Sequence, residues 1–412
     1  MRIILSHPTG NANVRALAGG LAEAGLLERF YTTIACFPGS MLHQLGGLPP
    51  FAELRRRSYD QNLRDLTYTV PFYEAGRMLF SRLGWQKMVK HEHGRFSVDA
   101  VYQNLDLYIS KRLKHLGPDA VYGYEDGAYA SFREAKSLGI KCLYDLPIGY
   151  WRSMHRLLSE ERERRPQWAG TLTGFHDSPT KLQRKDEALA MADTILVASS
   201  FTARTLEEYP RNLNKIKVIP YGYPPAYLDR KYSSTNNRKL KILFVGGLSQ
   251  RKGVANLFEA LHSLEKKVEL TVVGNKAADC GELNRGLDLH RWIPSLAHAD
   301  VLNLMREQDL LVFPSLFEGF GLVVTEAMSQ GTPVITTERT CGPDLIRDGE
   351  NGWLTKAGDS AALHERIVEI IEHPEVLETV GREALKTAAS RPWSVYGKEV
   401  SEYLSGFGNE RN

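Results

Sequence analysis

Hydrophobic positions in this chain fall into short, wholly apolar runs separated by segments with helical spacing. Residues Arg2-Ile3-Ile4-Leu5 predict a buried strand and Ser6 to Asn11 a polar loop around Gly10, while Val14, Leu17, Ala18, Leu21 and Ala22 mark one face of a helix. The arrangement returns near residue 240, with a strand at Leu240–Val245, a loop at Gly246–Gly253 and a helical face carrying Val254, Leu257, Phe258 and Leu261. Further apolar runs lie at 120–123, 141–145, 194–198, 217–220, 269–273, 310–313 and 333–336. Runs that are apolar throughout, alternating with helices, indicate parallel sheets covered on both faces. The expected fold class is therefore α/β, with two doubly wound domains at residues 1–225 and 226–394. The polar stretch Ser233–Asn237 lies at the predicted boundary, and a last helical pattern occupies 395–412. Ligands of such sheets bind beyond the carboxyl ends of the strands, so two domains facing each other would make a cleft.

The length of 412 residues fits two cores better than one, and 42% hydrophobic with 25% charged residues is ordinary for a globular chain. A net charge of +3 gives no support to nucleic-acid binding. The charge is uneven, however: residues 1–225 hold 30 Lys and Arg against 23 Asp and Glu, and residues 51–95 hold nine against five. In this basic stretch Phe72, Gly76, Leu79, Phe80 and Leu83 could share a helical face flanked by Arg77, Arg82 and Lys87. Such a face suits either an anionic membrane surface or the protein's own core with a solvated rim. No apolar run approaches a membrane span, and the opening residues lack a signal-peptide core. Four cysteines (Cys36, Cys142, Cys280, Cys341) without a C-x-x-C pair suggest neither disulfides nor zinc, and the expected compartment is the cytoplasm.

The segment with most chemical content runs from Phe313 to Ile335. A strand ends at Pro314, a loop carries Glu318, Phe320 and Gly321, and a helix is predicted from about Leu322 until Gly331. The amides of Gly321, Leu322 and Val323 would lie at the positive end of that helix, which suits a phosphate. Glu326, a turn further in, is placed for ribose hydroxyls, and Glu318 for a sugar beside the phosphate. Arg251 and Lys252 follow the first strand of the second domain, where two cations could neutralise an anionic group. His91-Glu92-His93 reads as solvated surface rather than a metal site, because i,i+2 residues diverge on a helix. No Asp-x-Asp pair and no G-x-G-x-x-G fingerprint occurs, which argues against metal-dependent single-domain sugar transfer and against hydride transfer.

The run Glu318-x-Phe320-Gly321-x-x-x-x-Glu326, followed by Gly331-x-Pro333-Val334, resembles the signature of the retaining nucleotide-sugar glycosyltransferases of family four. Val245-Gly-Gly247-Leu-Ser-Gln-Arg251-Lys252-Gly253 is similar to that family's diphosphate loop, and Gly349-Glu-Asn-Gly352-Trp-Leu to another of its segments. The resemblance implies the GT-B fold, two Rossmann-like domains closing over a cleft. It also implies a metal-independent transfer of a hexose from a nucleoside diphosphate sugar, UDP first, with retention. The acceptor would be a saccharide or lipid-linked saccharide, in polysaccharide or glycolipid synthesis. No cofactor is implied beyond the sugar nucleotide itself. Lys252, Arg251 and Glu318 would be catalytic; Gly10, Asn11, Gly247, Phe320, Gly321, Leu322, Val323 and Glu326 would bind the donor; the helix at 395–412 would pack on the first domain. Family members commonly carry an Arg where this chain has Gly247, and Arg251 would take its place. Many also carry a His after a middle strand of the first domain; here Leu143–Trp151 contains none, leaving Asp145 in either a polar site role or a turn cap. A nucleotide-sugar epimerase and a non-catalytic sugar-nucleotide binder are the alternatives.

Overall fold

The computed structural model describes residues 1–47, 52–55, 57–235 and 237–407. Seven strands form the first sheet: β1 (Ile3–Ser6), β2 (Leu27–Thr32), β3 (Thr67–Thr69), β4 (Ala120–Tyr124), β5 (Lys141–Leu146), β6 (Thr194–Val197) and β7 (Lys215–Val218). Six form the second: β8 (Leu240–Val245), β9 (Val268–Val273), β10 (Arg291–Ile293), β11 (Leu310–Phe313), β12 (Val334–Thr337) and β13 (Trp353–Thr355). The orders are β3-β2-β1-β4-β5-β6-β7 and β10-β9-β8-β11-β12-β13, and each adjacent pair is parallel. These are the two doubly wound sheets expected from the continuous apolar runs. In each sheet the order reverses at the first strand, between β1 and β4 and between β8 and β11. Those reversals open the crevices in which ligands of open α/β sheets sit.

The central strands are buried along their whole length, as in β1, β4, β6, β11 and β12. Strands β2, β3, β10 and β13 carry charges or span only three residues, so no apolar run announced them. The edge strand β7 begins two residues before the run at 217–220, because its solvent side tolerates Lys215. One cluster of buried side chains runs from Leu5 and Val14 in the first domain to Leu243 and Val312 in the second, with Tyr221, Tyr223 and Tyr396 within it, and a second, around Ile4, Val121 and Tyr144, lies within the first domain.

Helix Trp393–Gly406 packs against helix Ala12–Glu23 of the first domain, where Gly20 and Gly397 let the two backbones touch. A Cβ at Gly20 would come within 2.4 Å of the Gly397 carbonyl. Of the predicted helix at 395–412, residues 408–412 lie outside the described residues.

The helical face predicted in the basic stretch divides in two. Helix Phe72–Arg82 turns Gly76 and Phe80 onto Phe96, while Phe72, Leu79 and the following Leu83 and Trp85 are exposed. Its buried anchor is Glu74, which pairs with Arg57 and with Arg77. Four large apolar side chains therefore face solvent where a helix docked only by its apolar stripe would hide them. No described helix is long and apolar enough to cross a membrane.

Candidate active site in the interdomain cleft

The two strand-order reversals face each other. Residues at the carboxyl ends of β1 (His7), β4 (Tyr124), β8 (Gly246) and β11 (Phe313) all line one cleft cavity of about 360 Å³ between the domains. Lys252, Glu318 and the residues from Phe320 to Val323 form its second-domain wall.

The loop carrying Glu318 is shaped by contacts with the first domain. Ser199 and Thr202 both donate to the Gly319 carbonyl, at 2.5 and 2.8 Å. A Cβ at Gly319 would stand 1.9 Å from the Pro147 carbonyl oxygen, so only glycine fits this approach. Gly321 then adopts φ +87° and caps the helix Leu322–Ser329 without any side-chain cap. Gly321, Leu322 and Val323, at the start of that helix, line the cleft, and the first amides of a helix have no partner within it.

The turn Gln250–Lys252 is held from the first domain as well. Gln250 is fully buried; its N–H donates to Thr171 Oγ1 at 2.9 Å and its amide nitrogen to Glu161 Oε1 at 2.5 Å. Glu161, on helix Trp151–Arg164, also pairs with Arg164 and Arg165. This bracing fixes the direction in which the next two residues leave the turn. Lys252 pairs with Glu318, and Arg251 donates to the Phe317 carbonyl at 2.8 Å and lies 3.5 Å from Glu318. Burial brings the Arg251 guanidinium down to about 10, and burial together with Arg251 pulls the Lys252 ammonium well below its ordinary value. One carboxylate between two desolvated cations leaves the cluster short of negative charge, which an anionic ligand would supply.

The sequence-predicted residues divide as follows. Lys252, Glu318, Phe320, Gly321, Leu322, Val323 and Asn11 line the cavity. Arg251 stands behind Lys252 with its guanidinium on the Phe317 carbonyl. Phe320 is buried against Tyr221, with ring centroids 4.9 Å apart. Glu326 Oε1 accepts from His298 Nε2 at 2.9 Å, and its carboxylate raises the His298 imidazole above its ordinary value. Gly247 is exposed with open space around it, and its neighbour Gly246 lines the cleft. The Gly10 N–H donates to His7 Nδ1 at 3.1 Å and its carbonyl accepts from Arg15 at 2.7 Å. That backbone is engaged within its own loop and does not line the cavity.

Asp145 lies at the end of β5 but not in the cleft. It is 2% exposed, accepts from the Tyr122 hydroxyl at 2.7 Å, and burial pushes its carboxyl up to about 7. Pro147 stands in the cleft wall instead. His155 stacks on Phe175, with centroids 4.8 Å apart, outside the cavity lining. His91 is more than solvated surface: it lies 3.0 Å from Asp177 and 3.4 Å from Asp99. Together with Glu92 and Asp177 it forms a cluster of potential metal ligands, yet Lys181 and Lys185 already neutralise Asp177 at 3.0 and 3.1 Å.

Sequence reasoning missed His7, Asn13, Tyr102, Tyr124 and Tyr221, which form the first-domain wall with Asn11 and Pro147. The signal available for His7 and Tyr124 was their position directly after β1 and at the last residue of β4, the buried strands that flank the reversal. Tyr102 and Tyr221 come from a helix and from the interdomain segment, and nothing local marks them.

Residues 228–387 match the family model of glycosyl transferases, group 1. Over 244 residues the chain is 26% identical to a capsular polysaccharide biosynthesis glycosyltransferase, CapM, from Staphylococcus aureus. That match covers 54% of this chain and 63% of the relative, so less than two thirds of the relative is spanned. Sucrose-phosphate synthase from Thermosynechococcus elongatus superposes with a TM-score of 0.67 at 18% identity, over 99% of each chain. HepE from Anabaena, solved in complex with UDP-glucose, gives 0.63 at 18% identity over 98% of this chain and 100% of that one. The overall architecture is thereby the GT-B fold.

Proposed function

We propose that this chain, which carries a group 1 glycosyl transferase domain on a GT-B fold and resembles family four, moves a hexose from a nucleoside diphosphate sugar to a saccharide or lipid-linked saccharide acceptor. The observation that carries the proposal is the meeting of the two strand-order reversals at one cleft, with buried cations and an uncapped helix start on its second-domain side. UDP is the first nucleotide to test, because HepE was solved with UDP, with UDP and glucose, and with UDP-glucose.

In this reading the diphosphate lies between Lys252 and the amides of Gly321, Leu322 and Val323, with Arg251 reinforcing the positive charge. Departure of the nucleoside diphosphate is the demanding step, and fixed cations aimed at the forming phosphate charge favour it. The anomeric carbon passes through an oxocarbenium-like state, and the departing phosphate takes the proton of the incoming hydroxyl on the same face, giving retention. Glu318 is freed to meet the sugar as the diphosphate takes over its cations, and Glu326 receives ribose hydroxyls in place of His298. No metal enters this scheme, since Lys252, Arg251 and the helix start supply the positive charge. The exposed Phe72, Leu79, Leu83 and Trp85, in the basic stretch of the chain, support a peripheral position on an anionic cytoplasmic membrane face, where a lipid-linked acceptor would lie.

A thermal-shift screen of nucleoside diphosphate sugars tests the proposal. A ligand at 100 times its dissociation constant stabilises by about 2.7 kcal/mol, a shift such a screen detects. Release of nucleoside diphosphate from the bound donor then marks a transferase, an altered free sugar nucleotide marks an epimerase, and binding without turnover marks a non-catalytic binder.

A further inference from the structure

The first-domain wall of the cleft differs in kind from the second. Among the described residues, every first-domain side chain that lines it is uncharged: Asn11, Asn13, three tyrosines and Pro147 beside His7. His7 is 4% exposed, and its ring is held edge-on by Tyr124 and Tyr102, with centroids 4.8 and 6.0 Å away and near-perpendicular planes. Burial and the positive charge of Arg57 bring the imidazole down to about 3, so it is neutral across the working range. Its Nδ1 accepts from the Thr9 and Gly10 amides, both at 3.1 Å. An imidazole that accepts at Nδ1 and is neutral must carry its proton on Nε2. Among the described residues the hydrogen bonds of this ring all fall on Nδ1. Nε2–H is thus a donor of fixed tautomer among uncharged lining side chains.

We infer that His7 Nε2–H is the cleft's donor to a hydroxyl of an uncharged sugar, with the rings of Tyr102 and Tyr124 beside it. The inference rests on the reading of the cleft as a sugar-nucleotide site and assigns its first-domain half. A neutral N–H donor suits the oxygen of an uncharged hydroxyl, and the aromatic side chains beside it supply apolar surface for the C–H groups of a pyranose ring. The hydroxyl belongs either to the transferred sugar or to the acceptor, and the two are separable.

The test uses calorimetry on the full chain with three probes: UDP, UDP-glucose, and glucose added to UDP-saturated protein. His7→Asn keeps an acceptor oxygen for the Thr9 and Gly10 amides but withdraws the outer N–H; His7→Gln returns an N–H near that position. The expected result is that His7→Asn leaves UDP binding within twofold and weakens a sugar arm by about three- to tenfold, the scale of one hydrogen bond. His7→Gln should recover part of the loss, and both variants should melt close to the parent. Loss confined to UDP-glucose assigns the bond to the transferred sugar, and loss confined to free glucose assigns it to the acceptor. If UDP binds and neither sugar arm changes in His7→Asn, the inference is overturned while the reading of the cleft stands. If the parent protein binds neither UDP nor UDP-glucose, it is the reading of the cleft that falls, and the inference with it.

Discussion

Replacing Lys252 with methionine separates what the cation cluster does for the reaction from what it does for the fold. The ammonium is nearly enclosed, lies 5.0 Å from the centre of the Phe313 ring and pairs with Glu318 beside Arg251. Methionine fills most of the same volume and keeps the contact with the ring, but carries no charge. Loss of one preorganised group facing developing phosphate charge costs roughly 3 kcal/mol, about a hundredfold in turnover. Stability should move the other way or not at all. Burial and Arg251 already disfavour the charged form of Lys252 in the folded protein, and Glu318 keeps Arg251 as a partner 3.5 Å away after the substitution. For a base whose folded pKa is depressed, the penalty is present at neutral pH and fades as pH rises toward the unfolded value, so the gain from Lys252→Met should be larger at pH 7 than at pH 10. Release of UDP from UDP-glucose and melting temperature at the two pH values are the assays. A variant that melts several degrees lower at pH 7, with activity lost in proportion to folded protein, would show that Lys252 is a structural partner of Glu318 and would refute the argument.

Three further outcomes follow from the geometry. Asp145 titrates near 7 when folded because it is buried, so between about pH 4 and 7 the folded chain holds a proton the unfolded chain has lost, and stability falls as pH rises through that window; Asp145→Asn should remove up to about 4 kcal/mol of this slope, seen as melting curves of parent and variant that agree at pH 4 and diverge by pH 8. Gly319→Ala places a methyl against the Pro147 carbonyl and should cost about 1–3 kcal/mol in denaturant titration while weakening UDP-glucose binding, because the displaced loop carries Glu318. Phe72→Ser combined with Trp85→Ser should abolish salt-sensitive binding to anionic vesicles with little change in melting temperature; equal binding of the parent to neutral and anionic vesicles would remove the membrane from the proposal.

The second-domain half of the cleft could be read along the chain because its groups are neighbours in sequence: Arg251 with Lys252 in one turn, and Glu318 through Glu326 across one loop and helix. The first-domain half could not. His7, Tyr102, Tyr124 and Tyr221 are spread over more than two hundred residues; parallel pairing brings His7 and Tyr124 to the carboxyl ends of adjacent strands, and Tyr102 and Tyr221 reach them from a helix and from the interdomain segment. Asp145 illustrates the limit from the other side. A carboxylate at a strand end is a reasonable site residue by position, yet the pleat turns it toward Tyr122 and under the cleft wall. Gly10 was expected to offer its backbone to a ligand, and the ring of His7 had already taken that amide. Short edge strands such as Thr67–Thr69 and Trp353–Thr355 carry too few residues for periodicity to register, and they form because a neighbouring strand offers an unpaired edge.

Ser199 and Thr202 donate to Gly319, and Gln250 donates to Glu161 and Thr171, so these bonds join one domain to the other. Any motion that parts the domains must break them, and in doing so it unseats both Glu318 and the turn that carries Lys252. Under the proposed function, opening of the cleft and release of a nucleoside diphosphate would therefore be coupled, with no separate trigger needed for the second.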